Sequence, residues 1–304
     1  MKRVLCVALA LAMGSAAFTG CQKDGVYNPK KKISKIQKAD NGNKVLVQEW
    51  TWNGNLLHNI AYYLNDSVMQ GKEYFLYEKK QLVRIDNTNL SYYVISYNGS
   101  QYEKIELFDR MGKKTRTYVY GYDGKKVSKI DLTVYKNPSK SAMDIAGENS
   151  LMSFFLPMSI LEETDRQIAR FASLKSADDD VYSFTLKYDG DNVSEWKMGD
   201  YNNEEKPLEV VFKYESYDKN VNPLYASRFE ANEKDIMPFA PPCFYKNNPT
   251  KASSTRYDNG KELTINYDYT YKYVDKKYPA EIVRKQSQES MPESISDTTY
   301  YEYK

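Results

Sequence analysis

Tyr120-Gly121-Tyr122-Asp123-Gly124-Lys125-Lys126-Val127-Ser128-Lys129-Ile130 is the stretch that decides the fold of this chain. An aromatic, one residue and a second aromatic place two rings on one face of a strand, because strand side chains alternate. Asp-Gly then provides the positive φ that a tight hairpin turn needs. The Val-x-x-Ile that follows has a spacing of three, which strict alternation does not allow. That spacing predicts a bulge or a change of face in the return strand.

The same unit recurs on both sides. Upstream it reads Trp50-Thr51-Trp52-Asn53-Gly54 with Leu57 and Ile60, then Phe75-Leu76-Tyr77 with Leu82 and Ile85. Ile95-Ser96-Tyr97-Asn98-Gly99 with Tyr102 and Ile105 follows, and downstream stands Leu186-Lys187-Tyr188-Asp189-Gly190 with Val193 and Trp196. Trp52, Tyr77, Tyr97 and Tyr122 are spaced by 25, 20 and 25 residues, a period that marks repeat architecture. Lys126 to Tyr135 and Glu262 to Tyr271 alternate as strands do. One unit is therefore a hairpin plus its return strand. The fold class is mainly β: an antiparallel meander of repeated hairpins forming a large curved sheet or barrel-like body.

The chain holds 29 Tyr against 11 Phe. Tyrosine joins a large apolar ring to a hydroxyl that can stay wet, so this excess predicts an exposed sheet surface more readily than a dry core. Cross-strand ring pairs would contribute roughly 0.2–1 kcal/mol each.

Two segments interrupt the repeats. Residues 138–180 carry a helical insertion over about 140–175, with a capping box at Ser159-Ile160-Leu161-Glu162 and an apolar stripe near Leu161, Ile168 and Ala172. They separate Tyr122 from Tyr188 by 66 residues and leave the strand order across the gap open. Asp178-Asp179-Asp180 lacks the spaced ligands and distal Glu of a calcium loop and reads as a solvated turn. Residues 218–251 are rich in Pro and Asn and read as an ordered loop, with a short helix, covering one end of the sheet.

The Tyr-x-Tyr-Asp-Gly-Lys-x-Val-x-x-Ile units resemble the YD-type repeats of Rhs proteins. Together with the N-terminal signal described next, the segments Tyr217 to Tyr225 and Lys246-Asn247-Asn248-Pro249-Thr250-Lys251 resemble a group of uncharacterised Bacteroidota lipoproteins. Part of that group is described as a domain of unknown function. The resemblance implies a porin-like antiparallel β fold and carries over no catalytic residue.

The first residues give an address. Lys2 and Arg3, an apolar run from Val4 to Leu11 and the small residues of Gly14 to Gly20 precede Cys21. This is a secretion signal ending in the lipobox-like Phe18-Thr19-Gly20-Cys21, cut between Gly20 and Cys21. Residues 1–20 are the signal peptide, 21–32 a lipidated N-terminus and tether including Lys30-Lys31-Lys32, and 33–304 a single repetitive β domain with inserts at 138–180 and 218–251. The expected location is the outer membrane, lipid-anchored through Cys21. Gln22-Lys23-Asp24 resembles the surface-export signal of Bacteroidota lipoproteins, which implies surface exposure.

Loss of Lys2 and Arg3 with the signal brings 43 basic residues to 41, equal to the 41 acidic ones. A neutral chain has no charge excess for nucleic-acid binding. Cys6 leaves with the signal and Cys21 carries lipid. Cys243 is then alone, and it reads as a small buried hydrophobe beside Phe244. His58 is the single histidine and reads as a strand residue, so a His triad or multi-His zinc site has too few ligands. No Gly-x-Ser-x-Gly elbow or phosphate-binding Gly loop occurs. No metal or cofactor is expected.

The resulting expectation is a non-catalytic envelope lipoprotein that binds a glycan or another extracellular ligand, with Trp50, Trp52 and Trp196 as candidate stacking platforms. The same tryptophans occupy repeat positions that Tyr, Phe or Leu fill elsewhere, which also fits sheet packing. The alternative is a structural component that docks another outer-membrane protein. A carboxylate-based glycan hydrolase is the remote third reading.

Overall fold

A computed structural model describes residues 27–88, 91–135, 180–200, 209–225, 242–258, 261–288 and 295–304. Sixteen strands follow one another: β1 (Ile33–Asp40), β2 (Asn43–Asn53), β3 (Leu56–Asn65), β4 (Val68–Glu78), β5 (Gln81–Asn87), β6 (Tyr92–Asn98), β7 (Gln101–Phe108) and β8 (Lys114–Asp123). They continue as β9 (Lys126–Val134), β10 (Asp180–Asp189), β11 (Asn192–Asp200), β12 (Glu209–Tyr217), β13 (Pro249–Asp258), β14 (Lys261–Val274), β15 (Tyr278–Gln288) and β16 (Ile295–Tyr303). Every strand pairs antiparallel with its sequence neighbour, and β1 closes the ring on β16. The meander is therefore a closed barrel, an arrangement that leaves no sheet edge. β9 pairs directly with β10, from Asp180↔Val134 to Thr185↔Lys129, so strand order runs unbroken across the long insertion. The helix expected at about 140–175 lies outside the described residues.

The Val-x-x-Ile spacing resolves into a bulge at the same point of each repeat. Trp52 faces Leu57, yet Thr51 faces Asn59 and Trp50 faces Ile60. Equivalent register shifts separate Leu76/Tyr77, Ser96/Tyr97, Gly121/Tyr122 and Lys187/Tyr188. One extra residue in the return strand brings both apolar residues to the inner face. Leu57 and Ile60 are buried, and so are Val127 with Ile130 and Val193 with Trp196.

The turns of these repeats are two residues long and begin with glycine. Gly124 and Gly190 hold φ of 58° and 55°, the conformation needed at the first position of such a loop. Lys79-Lys80 fills the same place in the second repeat with both residues at positive φ. All these turns lie at one end of the barrel, here termed the glycine-turn end. The chain enters β1 there, and the segments 218–225 and 242–248 connect β12 to β13 there.

The tyrosines correct the expectation of an exposed ring surface. Tyr93, Tyr102, Tyr118, Tyr120, Tyr182 and Tyr267 are buried in one continuous inner core with Trp50, Phe75, Phe184, Trp196 and Phe212. A barrel this wide needs large rings to fill it. Each ring brings a hydroxyl that is costly to bury without a hydrogen bond. Near the glycine-turn end, backbone carbonyls of the preceding hairpin take that role. Tyr97 donates to the Leu82 carbonyl at 2.6 Å, Tyr217 to Val193 at 2.5 Å and Tyr303 to Pro279 at 2.7 Å. Trp52 Nε1 does the same to Ile33 at 2.7 Å.

Candidate functional site

Three regions of the barrel carry chemistry: the outer wall, a charged cluster on the inner wall, and the segment laid across the glycine-turn end. The outer wall is polar. Lys187 pairs with Glu195 at 2.7 Å across β10 and β11, and Lys272 with Glu281 at 2.7 Å across β14 and β15. Lys129, Asp131, Lys213 and Asp268 point outward at mid-strand, opposite in phase to the buried rings. A barrel that spans a membrane has the reverse polarity, an apolar belt outside and a polar lumen. Each charged residue at the lipid midplane would cost up to about 2–4 kcal/mol. Among the described residues, exposed apolar side chains are most numerous on the β3–β4 hairpin (Leu64, Val68, Met69, Tyr74 and Leu76), while Val119, Tyr257 and Leu263 stand singly on other strands.

On the inner wall, polar groups collect toward the end opposite the glycine turns. Gln48 accepts from Trp50 Nε1 at 2.8 Å, and Glu73 accepts from the Tyr62 hydroxyl at 2.6 Å. On β1, β15 and β16 stand Lys38, Arg284 and Asp297. Arg284 is buried and grips Asp297 Oδ2 through Nε at 2.8 Å and Nη2 at 2.6 Å. Burial lowers the Lys38 ammonium to about 8; Asp297 opposes this shift and Arg284 adds to it. Asp297 thus pairs directly with Arg284 and acts on Lys38 through its charge. Replacing Asp297 by Ala leaves Arg284 buried beside Lys38 and is expected to destabilise the barrel by about 3 kcal/mol in urea unfolding. Adding Lys38→Met in that background should restore part of the loss, because it removes the like charge.

At the glycine-turn end, the two Asn-rich motifs of the sequence interlock. Asp218 accepts the Asn220 and Asn248 amides at 2.9 and 3.1 Å, the Asn248 side chain at 3.1 Å, and the Tyr273 hydroxyl. Burial raises the Tyr273 phenol to about 12, and its bond to the Asp218 carboxylate adds to the rise. Buried Asn222 donates to the Tyr245 carbonyl at 2.8 Å and accepts the Leu224 amide at 3.0 Å. Asn192 accepts the amides of Lys246 and Asn247, both at 2.9 Å, and Lys246 pairs with Asp191 at 2.7 Å. On the other side Tyr27 donates to the Pro223 carbonyl at 2.6 Å. The two described parts of the connection, 218–225 and 242–248 with the short 3-10 helix Pro242–Phe244, are therefore stapled across the end, with Leu224 in the core. Cys243 is buried within it.

The residues singled out by sequence fall as follows. Cys21 and Gly20 lie outside the described residues, as do Asp178 and Asp179. Trp50, Trp52 and Trp196 are 3%, 8% and 1% exposed, so none presents a ring face outside the barrel. Trp50 stacks on Trp52, and Trp196 stacks on Phe184 at 5.4 Å. Their candidate stacking role gives way to packing, because the repeat puts both aromatics on the inner face. His58 is an exposed strand residue edge-on to Tyr74. Of the residues read as a solvated tether, Tyr27 is buried, Lys31 pairs with Asp275, and Lys32 donates to the Gly54 carbonyl at 2.6 Å. The Lys38–Arg284–Asp297 cluster gave no sequence signal, since its members are far apart and sit in no motif.

These features define a class: a closed sixteen-strand antiparallel barrel with an aromatic interior and a charged outer wall. Solved structures share the fold, and two of them are porin-like proteins from Bacteroides. One is a porin-like protein from Bacteroides vulgatus ATCC 8482, with a TM-score of 0.51 and 9% identity over 90% of this chain and 99% of that one. The other is a porin-like protein from Bacteroides uniformis ATCC 8492, with a TM-score of 0.50 and 11% identity over 92% of this chain and 100% of that one. No protein-family model matches the chain, and no curated protein matches its sequence.

Proposed function

We propose that this chain is a non-catalytic lipoprotein of the cell envelope, held to the outer membrane by acyl chains on Cys21 and displaying its barrel at the surface. The observation that carries the reading is the polarity of the wall. Charged residues outside and buried rings inside suit a barrel standing in water, so attachment falls to the N-terminus. Two or more acyl chains hold a protein stably, whereas one does so only marginally. Replacing Cys21 by Ser should move the protein from the membrane fraction to the soluble fraction and abolish incorporation of labelled fatty acid. Retention with continued acylation would refute the reading.

The buried tryptophans remove the exposed platforms on which a glycan-binding role was built. The apolar strip on β3–β4 favours the second reading, docking of another envelope protein. Leu64 at 61% and Met69 at 51% exposure make it the natural contact surface.

A further inference from the structure

We propose that the glycine-turn end is a membrane-facing surface that docks on the anionic phosphate headgroups of the leaflet carrying the anchor. For its anchor this rests on the lipoprotein reading; the surface itself rests on charge and topology.

The described connections and chain ends at the glycine-turn end contain eleven lysines and three aspartates, a net +8. Among the described residues, the connections that join strands at the opposite end carry two basic residues, Arg110 and Lys113, and two acidic ones, Asp66 and Asp109, a net of zero. The positive charge of the described connections is thus concentrated at one end of the barrel axis. The lysines come from turns scattered through the chain, and only barrel closure gathers them. Lys79, Lys80, Lys125, Lys276 and Lys277 are exposed at the tips of three different turns. Lys31, Lys32 and Lys246 are tied back by Asp275, Gly54 and Asp191.

The path to the anchor leaves from this same end. Tyr27 is pinned to Pro223 there, six positions after Cys21. Fully extended, that stretch reaches about 20 Å. A lipid on Cys21 therefore keeps this end within a few Debye lengths of the headgroups, about 8 Å each at physiological ionic strength. Lysines near an anionic surface attract it, and the opposite end, without that excess, is left pointing outward.

The test is vesicle sedimentation of the chain from residue 21 onward, without lipid, which contains every described element. The wild type should bind vesicles of phosphatidylglycerol in phosphatidylcholine, lose binding as salt rises, and ignore pure phosphatidylcholine. The triple change Lys79→Glu, Lys125→Glu, Lys276→Glu should weaken binding about a hundredfold or more, from roughly fivefold per lysine removed. The matched triple Lys44→Glu, Arg110→Glu, Lys113→Glu at the opposite end alters net charge equally and should leave binding within about threefold. Circular dichroism establishes that both triples fold. Equal losses from the two triples, or no preference for anionic vesicles in the wild type, would overturn the proposal. Release of Cys21→Ser from membranes is a separate result: it can hold while vesicle binding fails, and the reverse.

Discussion

Raising the pH beyond 10 should unfold the barrel in one cooperative step. Burial lifts the phenols of Tyr214, Tyr217, Tyr245, Tyr271 and Tyr303 well above their ordinary value of 10, and that of Tyr273 to about 12. A phenol is an acid whose folded pKa is raised here. Between 10 and the folded value, the unfolded chain releases its proton while the native chain keeps it. Stability therefore falls with rising pH throughout that window. A hundredfold difference in proton affinity at one phenol is worth about 2.7 kcal/mol. Several together are comparable with the about 5–15 kcal/mol that holds a typical domain.

Lys38 acts in the opposite direction in an earlier window. Its folded pKa of about 8 lies below the ordinary 10.5, so stability rises between those values as the unfolded chain holds the extra proton. The expected profile is level to about 8, slightly rising, then steeply falling past 10. Far-ultraviolet circular dichroism and phenolate absorbance should change together. Phenolate formation near pH 10 with the sheet signal intact would show that the rings are open to water.

Trp196→Ala should cost about 3–5 kcal/mol, the range for deleting a buried large aromatic. Trp196 is 1% exposed, stacked on Phe184 at 5.4 Å and edge-on to Phe212 at 5.7 Å. It links three adjacent strands, β10, β11 and β12, so its loss opens a cavity in the continuous inner ring. For a chain of this size the melting temperature should fall by about 10 °C. Trp196→Phe keeps a ring in the site and should lose less. A loss below about 1 kcal/mol for the alanine variant would mean that the site is not packed.

The repeat made much of this fold legible. Aromatic-x-aromatic, the glycine turn and the irregular Val-x-x-Ile each have a local cause, and the structure shows a bulge at that irregular step in all five copies. The sidedness of the tyrosines was misread for an equally physical reason. Alternation tells which residues share a face but not which face is inside. A phenol suits either face, provided that a carbonyl such as that of Leu82 lies in reach of Tyr97. The Asn-rich motifs around Asp218 and Asn248 were visible separately. Their bond spans thirty positions and depends on where β12 ends and β13 begins.

By itself the sequence determined the antiparallel hairpins with their turns and bulges, because those follow from contacts between near neighbours. Tertiary structure decided the rest. Pairing of β1 with β16 converts a sheet into a barrel and so defines an inside, which turns the aromatic ladder into a core. Closure also brings Lys38 beside Arg284 and Asp297, and gathers lysines from distant turns at one end. Charge at long sequence separation has no local signature; it acquires one only when the chain places it in space.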